Sequence, residues 1–142
     1  MVEKKEANPK ESVGIKKVPF SVLSAPVLGE VGLAMMEGAR KYGRHNYREA
    51  GVMSSVYYDA CMRHLTAWWE GENIDADSGM SHITKAISGL MVLRDCMINQ
   101  KWNDDRPPKT KQGWVPELNK KAAIIIDKYP NSITAYTEIS KK

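Results

Sequence analysis

One phenylalanine, two cysteines and no glycine-rich phosphate loop in 142 residues leave the chain without most of the features that usually announce a function. No uninterrupted apolar run approaches the roughly 20 residues that a membrane-spanning helix needs, and residues 1–17 are charged throughout, without the apolar stretch of a secretory signal. A cytoplasmic location with no membrane contact is the expectation. Cys61 and Cys96 both fall inside helical patterns. They suit reduced core thiols, being too few for a disulfide framework or, without histidines, a closed zinc site. The patterns Gly-x-x-x-x-Gly-Lys-Ser/Thr, Gly-x-Gly-x-x-Gly and His-Glu-x-x-His are missing, which removes sequence support for kinase, dinucleotide and zinc-protease chemistry. None of His45, His64 and His82 is followed by aspartate, as an HD-type phosphohydrolase requires. A calcium loop begun at Asn73 would need glycine and glutamate where Ser78 and Thr84 stand.

The formal net charge of +4 is unevenly placed, with lysines gathered in residues 4–17 and 109–142 and the acids in the middle. Basic ends around an acidic centre suit an anionic substrate bridged by a metal ion. Lysine-rich tails that touch nucleic acid are the second reading, ranked lower because no helix shows an Arg/Lys stripe interleaved with aromatics. Eight methionines against one phenylalanine suit an adaptable helical core, and a chain of this length fits one such core.

Residues 1–25 read as a flexible N-terminal arm, broken by Pro9 and Pro19. From Pro26 the positions Leu28, Val31, Met35, Ala39 and Tyr42 follow i, i+3, i+7, i+11 and i+14, which predicts a helix with one apolar stripe, ended by Gly43. Glu37 and Lys41, four apart, read as a solvated pair. Residues 42–53 read as a loop. Its run Lys41, Tyr42, Arg44, His45, Asn46, Tyr47 suits gripping a phosphate and stacking on a base, or decorating the surface. A second helix is predicted from Ser54 or Ser55 to about Glu70. Tyr57, Cys61, Leu65 and Trp68 share one side of it with His64, while Asp59 and Arg63 lie on the other. The third helix, starting after Gly79 or Ser81 and ending near Asn99, is apolar over nearly half its circumference. That exceeds what one small bundle covers and predicts a homodimer or homotetramer. Residues 102–116 read as a linker and 117–129 as a short helix, so residues 26–101 form the expected catalytic domain and residues 102–142 a C-terminal extension.

Glu70, Glu72, Asp75 and Asp77 crowd into eight positions between the second and third helices. Such carboxylates repel one another unless a hard cation or a basic partner neutralises them, and their oxygens are the ligands that Mg²⁺ and Mn²⁺ prefer. A solvated acidic turn is the plain alternative. Glu72 and Asp75 are three apart, so one turn presents both to one ion. His82 stands beside them in the first turn of the next helix. An ion held there would offset the charge of a polyphosphate and lower the pKa of a bound water.

Three ordered blocks carry a more specific signal: Gly38-Ala-Arg-Lys-Tyr-Gly-x-x-Asn-Tyr47, Tyr57-Tyr-Asp-Ala-x-x-Arg-His-Leu-x-Ala-Trp68 and Gly71-Glu-x-x-Asp75-x-Asp-Ser-Gly-x-x-His82. Over about residues 26–99 the chain resembles the phage dATP/dGTP diphosphohydrolases, a branch of the all-α, MazG-like nucleoside triphosphate pyrophosphohydrolases. The resemblance implies a MazG-like helical bundle that hydrolyses a purine deoxynucleoside triphosphate, dGTP or dATP, to monophosphate and pyrophosphate with Mg²⁺ or Mn²⁺. In phages that replace adenine with 2-aminoadenine it implies a supply of dGMP for that base. Of the superfamily's metal signature, Glu72-x-x-Asp75 matches the second half; the only Glu-x-x-Glu, Glu3 to Glu6, lies in the arm. The resemblance thus implies Asp59, Glu72 and Asp75 as metal ligands, with Asp77 and His82 completing or orienting that shell. Glu72, Asp75 and His82 carry the catalysis, Lys41, Arg63 and His64 meet phosphates, and Tyr42, Asn46 and Tyr47 contact base or sugar. Lys85 stands where relatives often carry a second histidine and reads as a phosphate neutraliser or a surface position. The rival reading is a non-catalytic helical module that binds nucleic acid or a protein.

Overall fold

The structure is a computed structural model that describes residues 8–141; Glu3, Glu6 and the lysines around them lie outside the described residues. It divides into two compact units, Met1–Arg106 and Pro107–Lys142. As the sequence predicts, the described residues are mainly helical.

The stretch expected to be an extended arm contains a helical turn, α1 (Pro9–Gly14), because the Asn8 side chain caps the Lys10 amide at 2.9 Å and Pro9 presets the first turn. A 3₁₀ turn (Phe20–Val22) follows, and every described residue from 8 to 30 is exposed. Helix α2 (Ala25–Tyr42) has Pro26 in its first turn and ends at Gly43, whose φ of 91° closes the last turn through its amide on the Ala39 carbonyl. Its buried residues are Val31 and Ala34, whereas Leu28 and Tyr42, the ends of the predicted stripe, are exposed. The expected loop contains a further short helix, α3 (Asn46–Ala50), and a two-residue strand, β1 (Val52–Met53). Two longer helices complete the unit: α4 (Ser54–Trp69) and α5 (His82–Ile98), followed by strand β2 (Trp102–Asn103), which pairs in parallel with β1.

Helix α5 is the centre, lying against α4, α2 and α3. Its packing face is built from small residues. Ala86 is buried, and a Cβ added at Gly89 would stand 3.1 Å from the Cys61 sulfur, which is already 3.5 Å from the Ala86 carbonyl it donates to. Only alanine, serine and glycine on α5 allow α4 so close. Burial raises the pKa of both thiols, Cys61 and Cys96, which are unpaired and buried as the sequence predicts.

The N-terminus of α4 is finished from a distance. Neither Ser54 nor Ser55 caps it with its own side chain. Instead the Asp105 carboxylate accepts the Ser55 amide at 2.8 Å and the Ser55 hydroxyl, and the Ser54 hydroxyl donates to the Asn103 carbonyl at 2.9 Å. A negative charge at a helix N-terminus is favourable, and the two Ser55 donors hold the Asp105 carboxyl below its ordinary range. These bonds draw residues 102–106, expected in the linker, into the first unit. The second unit carries α6 (Trp114–Lys128), which begins three residues earlier than predicted because Gly113, in the left-handed region, sets its first turn.

Gly51 marks the tightest backbone approach: its φ is +77°, and an added Cβ would stand 2.6 Å from the Lys101 carbonyl oxygen that accepts the Val52 amide. Gly51→Ala should therefore destabilise the fold by about 1–3 kcal/mol, measured by chemical denaturation. Gly29→Ala, in the open interior of α2, should instead stabilise it by about 0.5–1 kcal/mol. Equal effects at the two positions would contradict the close approach.

Candidate active site

A cavity of about 820 Å³ lies between α2, the turn after it, α4 and α5. The size suits a nucleotide. Tyr42, Asn46, Tyr47 and His64, four of the residues expected to meet substrate, are on its wall, together with Met35, Met36 and Val92. Among the described residues three cations line it, Arg40, Arg44 and Lys85, and no carboxylate does. Two contacts fix the wall residues Asn46 and Tyr47. Arg48 grips Asp95 of α5 through two bonds of 2.8 and 2.9 Å, and the buried Cys96 thiol donates to the Tyr47 carbonyl at 3.3 Å. Helix α3 is thereby fixed on α5, carrying Asn46 and Tyr47 with it. The Arg48 guanidinium also keeps the Asp95 carboxyl below the ordinary carboxylate range.

Two of the expected phosphate contacts are elsewhere. Lys41 turns to Glu37, 3.5 Å away, and is absent from the cavity wall, where Arg40 stands in its place. Neighbours on a helix point about 100° apart, so the packing of α2 on α5 decides which of the two faces inward. Arg63 is exposed and likewise absent from the wall, because its neighbour His64 takes the inward position. Glu37, expected in a solvated pair, joins two lysines: it also accepts from Lys85 at 3.0 Å. Lys85 holds the Glu37 carboxyl below its ordinary range, with burial opposing and Lys41 adding to the effect. Arg40 and the Glu37–Lys85 contact are what sequence reasoning missed, whereas Arg44 was among the loop residues suited to gripping a phosphate. Arg40 stands in the first of the three blocks, which was the available signal.

The acidic loop meets this cavity through a pair of imidazoles. The small-residue contact of Cys61 with Ala86 continues one turn further as His64 Nδ1 against His82 Nδ1, 2.8 Å apart. His82 is buried, and its amide donates to the Asn73 carbonyl at 3.1 Å. Its Nε2 is buried without a well-aligned hydrogen bond, yet the Glu72 carboxylate lies 3.3 Å from it. The Glu72 side chain is 55% exposed. Asp75 is held differently: the Ser78 hydroxyl donates to it at 2.8 Å and the Asp77 amide at 3.3 Å. Burial pushes the Asp75 carboxyl up, but Ser78, the Asp77 amide and the imidazoles His64 and His82 outweigh it and leave it below its ordinary value.

Glu70 and Asp77 are exposed, and Asp59 is exposed on α4, about 140° around the helix from His64 at 100° per residue. Among the described residues no three histidine, cysteine, aspartate or glutamate side chains stand together as an ion's ligands would. Of the expected ligands, Asp75 accepts from Ser78, Glu72 faces His82, and Asp59 is exposed on another side of α4.

A protein-family model described as dATP/dGTP diphosphohydrolase, N-terminal, matches residues 7–106. A curated relative named dATP/dGTP diphosphohydrolase, from Salmonella phage PMBT28, is 31% identical over 90 residues, which is 63% of this chain and 30% of the relative's length. No solved structure matches.

The imidazole pair makes the site sensitive to acid. Burial lowers the pKa of His64, with Asp75 opposing and the charges of His82, Lys85 and Arg63 adding. A histidine whose folded pKa lies below its unfolded value of about 6.5 binds its proton less readily in the native state, so stability falls as pH drops through that value. The thermal midpoint should fall between about pH 7 and pH 5, and by less in His64→Gln. Identical profiles for the two proteins would contradict this account of the pair.

Proposed function

The chain belongs to the dATP/dGTP diphosphohydrolase family, and from that premise we propose that it hydrolyses a purine deoxynucleoside triphosphate, dGTP or dATP, to the monophosphate and pyrophosphate. The observation that carries the reading is the charge of the cavity: Arg40, Arg44 and Lys85 on its wall with no carboxylate, beside the rings of Tyr42 and Tyr47. Cations attract the triphosphate, and aromatic rings give a purine a stacking surface.

In the reaction, water attacks the α-phosphorus, the bond to the bridging oxygen of the β-phosphate breaks, and pyrophosphate leaves. The attacking water must lose a proton. With the His82 Nε2–H turned to Glu72, the His82 Nδ1 accepts and the His64 Nδ1 donates across their 2.8 Å contact. That arrangement leaves the His64 Nε2 lone pair to take the proton. Its lowered pKa keeps it neutral and available at pH 7. In this reading Glu72 then stabilises the charge that develops on the imidazole pair, and His64, a residue of the cavity wall, is the base that meets the water attacking the α-phosphorus. The Mg²⁺ or Mn²⁺ belongs in this reading to the substrate, entering on the triphosphate, with Glu72 and Asp75 the carboxylates of the loop that would meet it. Its contribution is to offset phosphate charge. With dGTP the product is dGMP, the precursor in the 2-aminoadenine role that the resemblance implies.

Pyrophosphate release from each deoxynucleoside triphosphate in Mg²⁺ tests the reading. dGTP or dATP should be hydrolysed, the pyrimidine nucleotides at least about tenfold more slowly. Glu72→Gln should lose about 10²-fold or more of turnover with its fold intact. Mn²⁺ alone should leave the thermal midpoint unchanged, while Mn²⁺ with dGTP should raise it. No release from any of these nucleotides removes the proposal, and a rise with Mn²⁺ alone shows a resident ion site instead.

We also propose a second copy as the cover for α4, where Tyr58, Met62, Leu65 and Trp69 recur at i, i+4, i+7 and i+11 and are all exposed. Light scattering should give a dimer or tetramer that Leu65→Glu converts towards monomer; a monomeric parent protein would contradict it.

A further inference from the structure

Two ammonium groups share one carboxylate oxygen at the edge of the cavity. Glu37 Oε1 lies 3.0 Å from Lys85 Nζ and 3.5 Å from Lys41 Nζ. One negative charge against two positive leaves the trio with an excess of one positive charge, and one oxygen cannot satisfy six N–H donors. The lysines differ in position: the Lys41 side chain is 53% exposed and off the cavity wall, whereas that of Lys85 is 20% exposed and on it. Arg40 and Arg44, the other two cations of the wall, are exposed and flank Tyr42. Lys85 comes instead from the first turn of α5, three residues after His82, and its charge reaches His64. The cavity is therefore polarised. Aromatic rings and exposed arginines stand at one end, and a half-buried, half-neutralised ammonium stands at the other, next to the imidazole pair.

We propose that Lys85 is the phosphate-binding cation at the less exposed end of the cavity, so that a nucleoside triphosphate lies with its phosphates toward α5 and its base toward Tyr42 and Tyr47, and that Glu37 is the resident competitor for that ammonium. The proposal rests on the nucleotide reading of the cavity and adds the direction in which the nucleotide lies. It assigns opposite signs to two partners of one ion pair. Removing Lys85 takes away a charge-assisted bond to phosphate. Removing the charge of Glu37 takes away a carboxylate that repels the same phosphate, and the ammonium then faces the ligand with all its donors.

Inorganic tripolyphosphate, titrated calorimetrically into the full chain, reads this without any turnover, and the KM for dGTP reads it in the reaction. Lys85→Met should weaken tripolyphosphate binding about tenfold, the size of one charge-assisted hydrogen bond, and Lys85→Arg should recover most of that loss. Glu37→Gln should tighten binding about threefold, the size of one partly screened like-charge repulsion, and this gain should vanish in the Lys85→Met background. Unchanged binding in Lys85→Met, or no binding by the parent protein, overturns the proposal. So does weaker binding in Glu37→Gln, which is what a purely structural Glu37 would give; this arm and Lys85→Arg stand even where Lys85→Met fails to fold. Tripolyphosphate binding with this pattern but no hydrolysis of any nucleotide would leave Lys85 as a phosphate subsite and remove the hydrolase reading alone.

Discussion

The close approach of α4 and α5 is the constraint on which the site depends. Cys61 meets Ala86 and Gly89 in a tight contact, where a Cβ at Gly89 would stand 3.1 Å from the Cys61 sulfur, and one turn along, His64 and His82 meet at 2.8 Å. Bulk added at Gly89 presses on Cys61 and so on the helix that carries His64. The loop contributes its own order: Ile74 bridges to Ser81, the Asp75 amide donates to the Met80 carbonyl, and Asn73 receives the His82 amide. It is a built turn rather than a slack connection, and Ser81 caps α5 at its end through the Ile83 amide.

Charge is segregated across that contact. Among the described residues, cations without carboxylates line the cavity, carboxylates crowd the loop, and the imidazole pair sits on the boundary. Each side tolerates its own repulsion for a different reason. On the loop, Glu70, Glu72 and Asp77 are exposed to water, and Asp75 is satisfied by Ser78 and the Asp77 amide. On the cavity side, the arginines are exposed and Glu37 offsets part of the lysine charge. In the proposed function a triphosphate carrying a divalent cation turns its anionic body to the cavity and its metal to the loop.

Much of this was legible in the sequence where a local rule governs it. Helical periodicity gave α2, α4 and α5 to within a few residues, and Gly43 and Ser81 marked their ends, because hydrophobic spacing and caps depend on residues close in sequence. The three blocks pointed to Tyr42, Asn46, Tyr47 and His64, which do share one cavity. What no local rule reaches depends on packing. Whether Arg40 or Lys41 lines the cavity follows from how α2 seats on α5, whereas the exposure of Asp59 follows from the helical wheel, which sets it opposite the apolar side of α4. The α4 cap comes from Asp105, 50 residues after Ser55, and no local pattern announces it. Helix α3 is five residues long, too short for periodicity to detect.

In the proposed function cavity and loop form one site, joined at His64 and His82, with the nucleotide spanning them. A crystal structure with a non-hydrolysable dGTP analogue and Mg²⁺ decides this. The purine should lie beside Tyr42 and Tyr47, the α-phosphate against His64, and the metal on the phosphates facing Glu72 and Asp75. A nucleotide bound away from the imidazole pair, or phosphates resting on the exposed arginines with the base toward α5, would contradict it.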